Sequence, residues 1–420
     1  MPMAAGLRYH LPPSSGVQHS QNNAPGNTME SKNLFIPPVI LGRPAVVDDA
    51  RSIAEGVTIE CHRDLVPDFI DTELNLLYGS LFSSLAHFRV YGGAQGASTY
   101  VARAGGRAIA IFLYRIEGAV ARVVNEWMPL DDAEATRFAR FVFTQYPGVD
   151  VVAFGAVDNR LARPDFPFQA VHATEDSVLA LPADAETFRA ALGKATRKNV
   201  QRYLSRLQKD HPGFRFSVCD GNEADEYQLR EVVRINRVRM RNKGKVPAID
   251  EKGFEKMLKM VRATGVVGIA TVDGRVCGGA ITYRIGRHYY SWVRTHDPDF
   301  DDYRLGLLVG YLMICECIAR GGEAFHFMWG REPHKALLLG VERTFDRVHL
   351  YRSRLHMLTH GAAAMRIWWV GRRRGLRLWL QRAKERRDLV SRAVAGAAGF
   401  LRRLRRRAGP DPQDRDPREA

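Results

Sequence analysis

The chain has 420 residues, 45% of them hydrophobic, and a formal net charge of +16. That length allows two domains with substantial cores, and the absence of any apolar run of about 18 residues excludes an ordinary bilayer-spanning helix. The charge excludes little, because residues 361–408 hold 15 Lys and Arg against 2 Asp and Glu. The remainder is close to neutral, so an argument from total charge to a polyanionic partner belongs to that tail.

Residues 1–55 are rich in Pro, Gly, Ser and Asn and read as a disordered segment, without the charged start and apolar core of a secretory signal. Five cysteines, Cys61, Cys219, Cys277, Cys315 and Cys317, form an odd set at scattered spacings. They suit buried thiols in a reducing, cytoplasmic compartment, and no metal site is expected of them.

Residues 56–185 form a first α/β unit. Strands are predicted over 98–103, 108–116 and 121–127, with turns at Gly105-Gly106 and Gly118. A helix over 131–146 starts on acidic residues, as the positive end of a helix favours, and a buried strand follows over 149–154. Met128-Pro129-Leu130 lead into the helix without a glycine, so this unit is expected to be structural or substrate-binding.

Residues 186–358 repeat that order. Strands over 266–272, 276–285 and 288–294 meander, the first hairpin marked by Asp273-Gly274. The loop from Asp297 to Gly306 then enters a continuous apolar helix over 305–319, stopped by Gly321-Gly322, and a strand over 324–329 leads to Gly330-Arg331-Glu332-Pro333-His334-Lys335. The loop-to-helix junction presents unpaired N–H groups and the positive end of a helix dipole to an anion. The fold class is α/β in the α+β sense: two tandem units, each a mixed, mostly antiparallel sheet flanked by helices, with a helical basic tail.

Four stretches of the second unit resemble a known family. They are Lys194-Ala195-Thr196-Arg197-Lys198-Asn199-Val200-Gln201-Arg202, the helix 233–244 ending at Gly244, the strand and loop through Gly306, and Phe327 to Lys335. Together they resemble the GNAT acyltransferases, most closely the acetyltransferases of cellulose and exopolysaccharide biosynthesis (CelD/BcsL type), relatives of the Fem peptidyltransferases. The usual pyrophosphate loop has two glycines, whereas Tyr303-Arg304-Leu305-Gly306 has one.

The resemblance implies acyl-CoA as co-substrate, no metal, and direct attack by a saccharide or amine acceptor, in keeping with the absence of a G-x-S-x-G elbow. It places the cofactor against Trp292, Val293, Arg294, Arg304, Leu305 and Gly306. Glu332 and His334 are the candidate proton acceptors and Lys335 a holder of a carboxylate or phosphate, the alternative being a charged, solvated turn. Arg197, Arg239 and Tyr290 are the candidate substrate contacts, although Arg197, Lys198 and Arg202 also fit a solvated face, and His326 reads as a core histidine. An aminoacyl-tRNA donor, as in the Fem relatives, and a scaffold without catalysis are the other readings.

In the tail, residues 359–408, apolar positions recur at helical spacing and three of the six tryptophans fall between 368 and 379. From residue 362 onward this suits an anionic membrane surface on the cytoplasmic side. Nucleic acid and packing onto the protein's own domains are the competing uses. Residues 409–420 are expected to be disordered.

Overall fold

The computed structural model describes residues 45–46 and 56–360, except residues 245, 248 and 331. The expectations for the N-terminal segment, the basic tail and the C-terminus fall outside the described residues, apart from their edges.

In the first half, β1 (Ala45–Val46) and β2 (Val57–His62) lead through α1 (Ile70–Tyr78) and α2 (Leu85–Tyr91) into β3 (Ser98–Ala104), β4 (Arg107–Glu117) and β5 (Val120–Val123). A short β6 (Pro129–Leu130) and α3 (Asp132–Gln145) then carry the chain to β7 (Val151–Asn159), parallel to β5. Asp131 caps α3 by accepting from the Glu134 N–H, which is why the acidic start is a helix start.

The next strand, β8 (Phe168–Ala180), is followed by α4 (Ala185–Ala191), α5 (Lys194–Asp210) and β9 (Phe214–Asp220). Then come α6 (Glu226–Asn242), α7 (Glu251–Thr264), β10 (Gly265–Val272), β11 (Arg275–Ile285), β12 (His288–His296), α8 (Leu305–Ala319) and β13 (Ala324–His326), parallel to β12. The chain closes with α9 (Pro333–Leu337), β14 (Val341–Tyr351) and α10 (Arg354–Thr359). The two halves thus match element for element: a strand, two helices, a three-stranded meander, a helix and a parallel strand. Asp273 and Gly274 both take positive φ, the geometry that a two-residue hairpin turn requires.

The halves are joined by an exchange of strands. β8 follows β7 in the chain but pairs with β13, whereas β14 follows β13 but pairs with β7. β8 and β14 pair with each other along the middle, giving one continuous sheet, β2-β3-β4-β5-β7-β14-β8-β13-β12-β11-β10-β9. Each half is completed by a strand from the other. The seam also holds a buried chain of polar groups, in which His326 Nδ1 lies 2.6 Å from Asp176 Oδ2 and His326 Nε2 3.2 Å from His288 Nδ1. His326 is therefore a core histidine satisfied by partners.

The halves differ at the junction between the meander and the parallel strand. In the first, the chain after β5 stays zipped to β7: the Trp127 N–H donates to Ala156 O at 2.7 Å, the Asp158 N–H to Met128 O at 2.8 Å, and β6 pairs with Asp158 and Asn159. In the second, β12 and β13 pair only at 288–290 with 324–326, and the chain then bends away at Phe327. The register of β11 on β12 skips Trp292, a β-bulge that turns the end of β12 outward. One junction is closed and the other is open.

Burial also fixes a pH response. Desolvation pushes His87 and His349 down to about 4, and desolvation followed by the neighbouring His326 does the same to His288. These rings bind protons more weakly folded than unfolded, so their stabilisation is complete above about pH 6.5 and is lost as the pH falls toward 4. The unfolding free energy from urea titration is expected to drop between pH 7 and pH 5 by on the order of 1 kcal/mol per ring. A flat profile would contradict this burial.

Candidate active site

The open junction holds a cleft of about 830 Å³. One wall is α5, which contributes Arg202, Tyr203 and Arg206, and a second is α6, which contributes Arg239. β12 supplies Arg294 and His296, the loop and first turn of α8 supply Asp301, Asp302, Arg304, Gly306 and Leu307, and His334 comes from α9. Five arginines thus converge on one cavity against two aspartates.

The sequence makes this cavity in identifiable ways. Residues Pro298–Tyr303 form a 3₁₀ turn, and Arg304 reverses the chain into α8 with φ 51°. Leu307 and Leu308 N–H groups already donate to Arg304 O, leaving the amides of Leu305 and Gly306 as the first donors of the helix. A Cβ on Gly306 would lie 2.5 Å from His296 Nδ1, so only glycine leaves this floor bare. The loop is pinned by His296, whose Nε2 lies 2.7 Å from Asp301 Oδ1. Its Nδ1 is buried and unpartnered, on a residue only 7% exposed.

The deep end is built around Arg294. Its Nη2 donates to His334 Nε2, while Nη1 is buried with no partner. Burial pulls the Arg294 guanidinium down to about 10, and burial followed by the Arg294 charge pushes His334 down to about 3. His334 is accordingly a neutral ring at neutral pH, its Nε2 already engaged. Glu332 Oε2 lies 3.4 Å from the same nitrogen. Burial raises the Glu332 carboxyl, but His334, Lys243, Lys335 and Arg294 outweigh it and hold it below the ordinary value, so it is ionised.

Lys335 takes a different place from the one its sequence context suggests. It is 5% exposed, and its Nζ donates to Met328 O, Trp329 O and Gly330 O at 2.8, 2.6 and 2.8 Å. The ammonium clamps the turn after β13, in which Met328 and Gly330 both have positive φ. The turn carries Trp329, 47% exposed, within ring-contact distance of Trp292, Trp127 and Phe82.

The structure therefore brings Arg239, Arg294, Arg304, Gly306 and His334 together in one cleft, with Glu332 beside His334. Trp292 is the bulge residue at its edge, Leu305, the first residue of α8, is buried in the core, and Val293 lies in the core on the α6 side. The cleft does not include Tyr290 or Arg197, which the sequence reading assigns to it. Tyr290 is buried, its hydroxyl donating to Gly79 O at 2.6 Å and its ring stacked on His326, while Arg197 turns back to Ala190 O. Arg206, Tyr203 and His296 are cleft residues that sequence reasoning missed. The available signal was the i, i+4 spacing of Arg202 and Arg206 around Tyr203, which puts the three on one side of a helix.

Residues 194–336 match the family model of the acetyltransferase (GNAT) domain. No curated protein sequence gives a significant match. Among solved structures, FemX is similar over 67% of this chain and 96% of its own, at 8% identity and TM-score 0.50. The L-PGS structure from Bacillus licheniformis is similar over 70% and 94% of the two chains, at 14% identity and TM-score 0.44. A tandem GNAT protein from the clavulanic acid biosynthesis pathway covers 69% and 98%, at 12% identity and TM-score 0.34. The second half of the chain is an acyltransferase domain with a GNAT fold, and the FemX likeness extends that fold to both halves.

Proposed function

We propose that the chain is an acyl-CoA-dependent N- or O-acyltransferase that acylates a saccharide or saccharide intermediate, as in the acetyltransferases of exopolysaccharide biosynthesis. The observation that carries this reading is the open junction between β12 and β13, whose floor is the bare Gly306 and whose lining holds five arginines. The fit to CoA is chemical. Arg202, Arg206 and Arg304, with the amides of Leu305 and Gly306, offer charge and donors for phosphates at a helix N-terminus.

When bound, the co-substrate supplies an activated thioester. The chain's own residues do the rest. The bulged end of β12 from Trp292 to Arg294 offers main-chain groups to an extended ligand, and Gly306 allows close approach. Glu332, held ionised, can accept the proton that the acceptor loses on attack. His334, with Nε2 taken by Arg294, has its proton on Nδ1 and can donate it. Lys335 positions rather than reacts. The exposed face of Trp329 suits the apolar face of a sugar ring.

The closed junction of the first half supports a structural or acceptor-binding role there. An aminoacyl-tRNA donor is the second reading, favoured by the number of arginines. The basic segment from residue 362 is the part that this reading assigns to an anionic membrane on the cytoplasmic face. Among the described residues no helix is long and apolar enough to cross a membrane.

The test is acetyl transfer from acetyl-CoA to a panel of neutral, amino and acidic saccharides, followed by release of free thiol. Acceptor-dependent thiol release is expected for at least one class. Release that no saccharide stimulates, together with transfer from aminoacyl-tRNA, would move the function to the second reading.

A further inference from the structure

Several described arginines are satisfied either by carboxylates, as are Arg206 on Asp210, Arg320 on Asp220 and Glu316, and Arg343 on Asp158, or by main-chain carbonyls, as are Arg262 and Arg352. Among the described residues, neither Arg239 nor Arg294 has a carboxylate at ion-pair distance or a main-chain carbonyl on its guanidinium. Arg294 is the stronger case. Its one side-chain partner is the neutral His334, and Nη1 is buried and unpartnered. The guanidinium lies on α8 at Gly310, where a Cβ would come within 2.5 Å of Nη1. The helix carries no side chain there, and the guanidinium admitted makes no ion pair; the ionised Glu332 lies beyond, 3.4 Å from the same His334 nitrogen.

A buried N–H donor left without a partner destabilises a fold. Arg239, which also has no carboxylate at ion-pair distance, lines the same cleft, as does His296, whose Nδ1 is buried and unpartnered. Gly310 lies one helical turn beyond Gly306, about 6 Å further along the axis. The orphan guanidinium is therefore deeper than the helix N-terminus, where a donor's phosphates are taken by Arg202, Arg206 and Arg304.

We propose that Arg239 and Arg294 form a second anion seat, separate from the α8 N-terminus, that takes a carboxylate or phosphate carried by the acceptor. This rests on the acyltransferase reading in one respect, the assignment of the anion to acceptor and not donor. The thioester arm of acyl-CoA is uncharged, so an anion at this depth comes from the other substrate. The acceptor is then an acidic saccharide, a uronate or a sugar phosphate.

The experiment uses the full chain saturated with CoA and titrated with inorganic phosphate, with glucuronate, and with glucose as the neutral control, while the thermal midpoint is followed. At least one anion is expected to raise the midpoint, and glucose is not. Glucuronate acting alone assigns a carboxylate, and phosphate acting alone assigns a phosphate. Arg294→Met and Arg239→Gln are each expected to weaken that response about tenfold, and Arg239→Gln is expected to leave CoA affinity within about threefold, by analogy with loss of one charge-assisted contact. The second variant lies at a half-exposed position and keeps the test valid if the first does not fold.

The seat is overturned if neither anion acts on the CoA-saturated protein, if both variants respond as the parent does, or if Arg304→Ala removes the response instead. Should CoA itself fail to bind, the donor reading falls. The same titration without CoA then decides the seat by its dependence on Arg239 and Arg294.

Discussion

Gly306→Val is expected to lower CoA affinity at least a thousandfold, about 4 kcal/mol. The reason is steric and electrostatic together. A Cβ at this position meets His296 Nδ1 at 2.5 Å and His296 Cε1 at 2.8 Å, so the added branch must either displace the ring or project over the two free amides. Displacing the ring breaks its contact with Asp301, which pins the loop that aims those amides. Projecting over them removes the donors from the phosphate's path. Either way the one glycine of the loop is the difference between a floor and a plug. The measurement is a calorimetric titration with CoA, with the thermal midpoint of the apo protein as control for folding. Wild-type affinity in a folded valine variant would remove the helix N-terminus from the donor site.

Lys335→Met is expected to be the most damaging single change to the fold, by about 4 kcal/mol. The methionine fills much of the same volume but donates nothing, leaving the carbonyls of Met328, Trp329 and Gly330 without the ammonium that joins them. The turn they form contains a non-glycine residue at φ 62°, a conformation kept only where its surroundings impose it. Gly340 N–H also bonds to Lys335 O, so loss of the clamp spreads toward the start of β14 and the exchanged strands. A thermal midpoint about 8 °C lower is expected, together with a change in tryptophan fluorescence from Trp329. A variant as stable as the parent would return Lys335 to the role of a free substrate cation. Lys335→Arg is expected to fail similarly, because a planar fork cannot direct its donors at three converging carbonyls.

The repeat was legible in the sequence because its signals are local. Asp273-Gly274 and Gly105-Gly106 mark hairpins, acidic residues mark the start of α3, and the apolar run 305–319 marks α8. The exchange of β8 and β14 was not legible, since pairing between residues 168–180 and 341–351 leaves no short-range trace. The strand expected over 324–329 ends at His326, because the following residues turn under the Lys335 clamp, which only the folded chain brings to them.

The site was legible in part. Gly306, Arg304 and His334, named from the sequence, line the cleft, and Arg239 reaches it from α6. Net charge was a poor guide. With most of the formal charge in the tail, nothing in the composition of the globular part signals that five arginines from α5, α6, β12 and the α8 loop meet in one cavity. Tyr290 was misleading for the opposite reason: an aromatic with a hydroxyl beside a cleft strand looks like a contact, but strand alternation turns it into the core.

Under the proposed function, the open junction of the second half is a donor site for acyl-CoA and the closed junction of the first is not. Isothermal titration of the full chain with acetyl-CoA tests both parts. One site per chain is expected, weakened by salt because arginines meet phosphates, and abolished by Gly306→Val. No heat at millimolar acetyl-CoA, or two equivalent sites per chain, would contradict it.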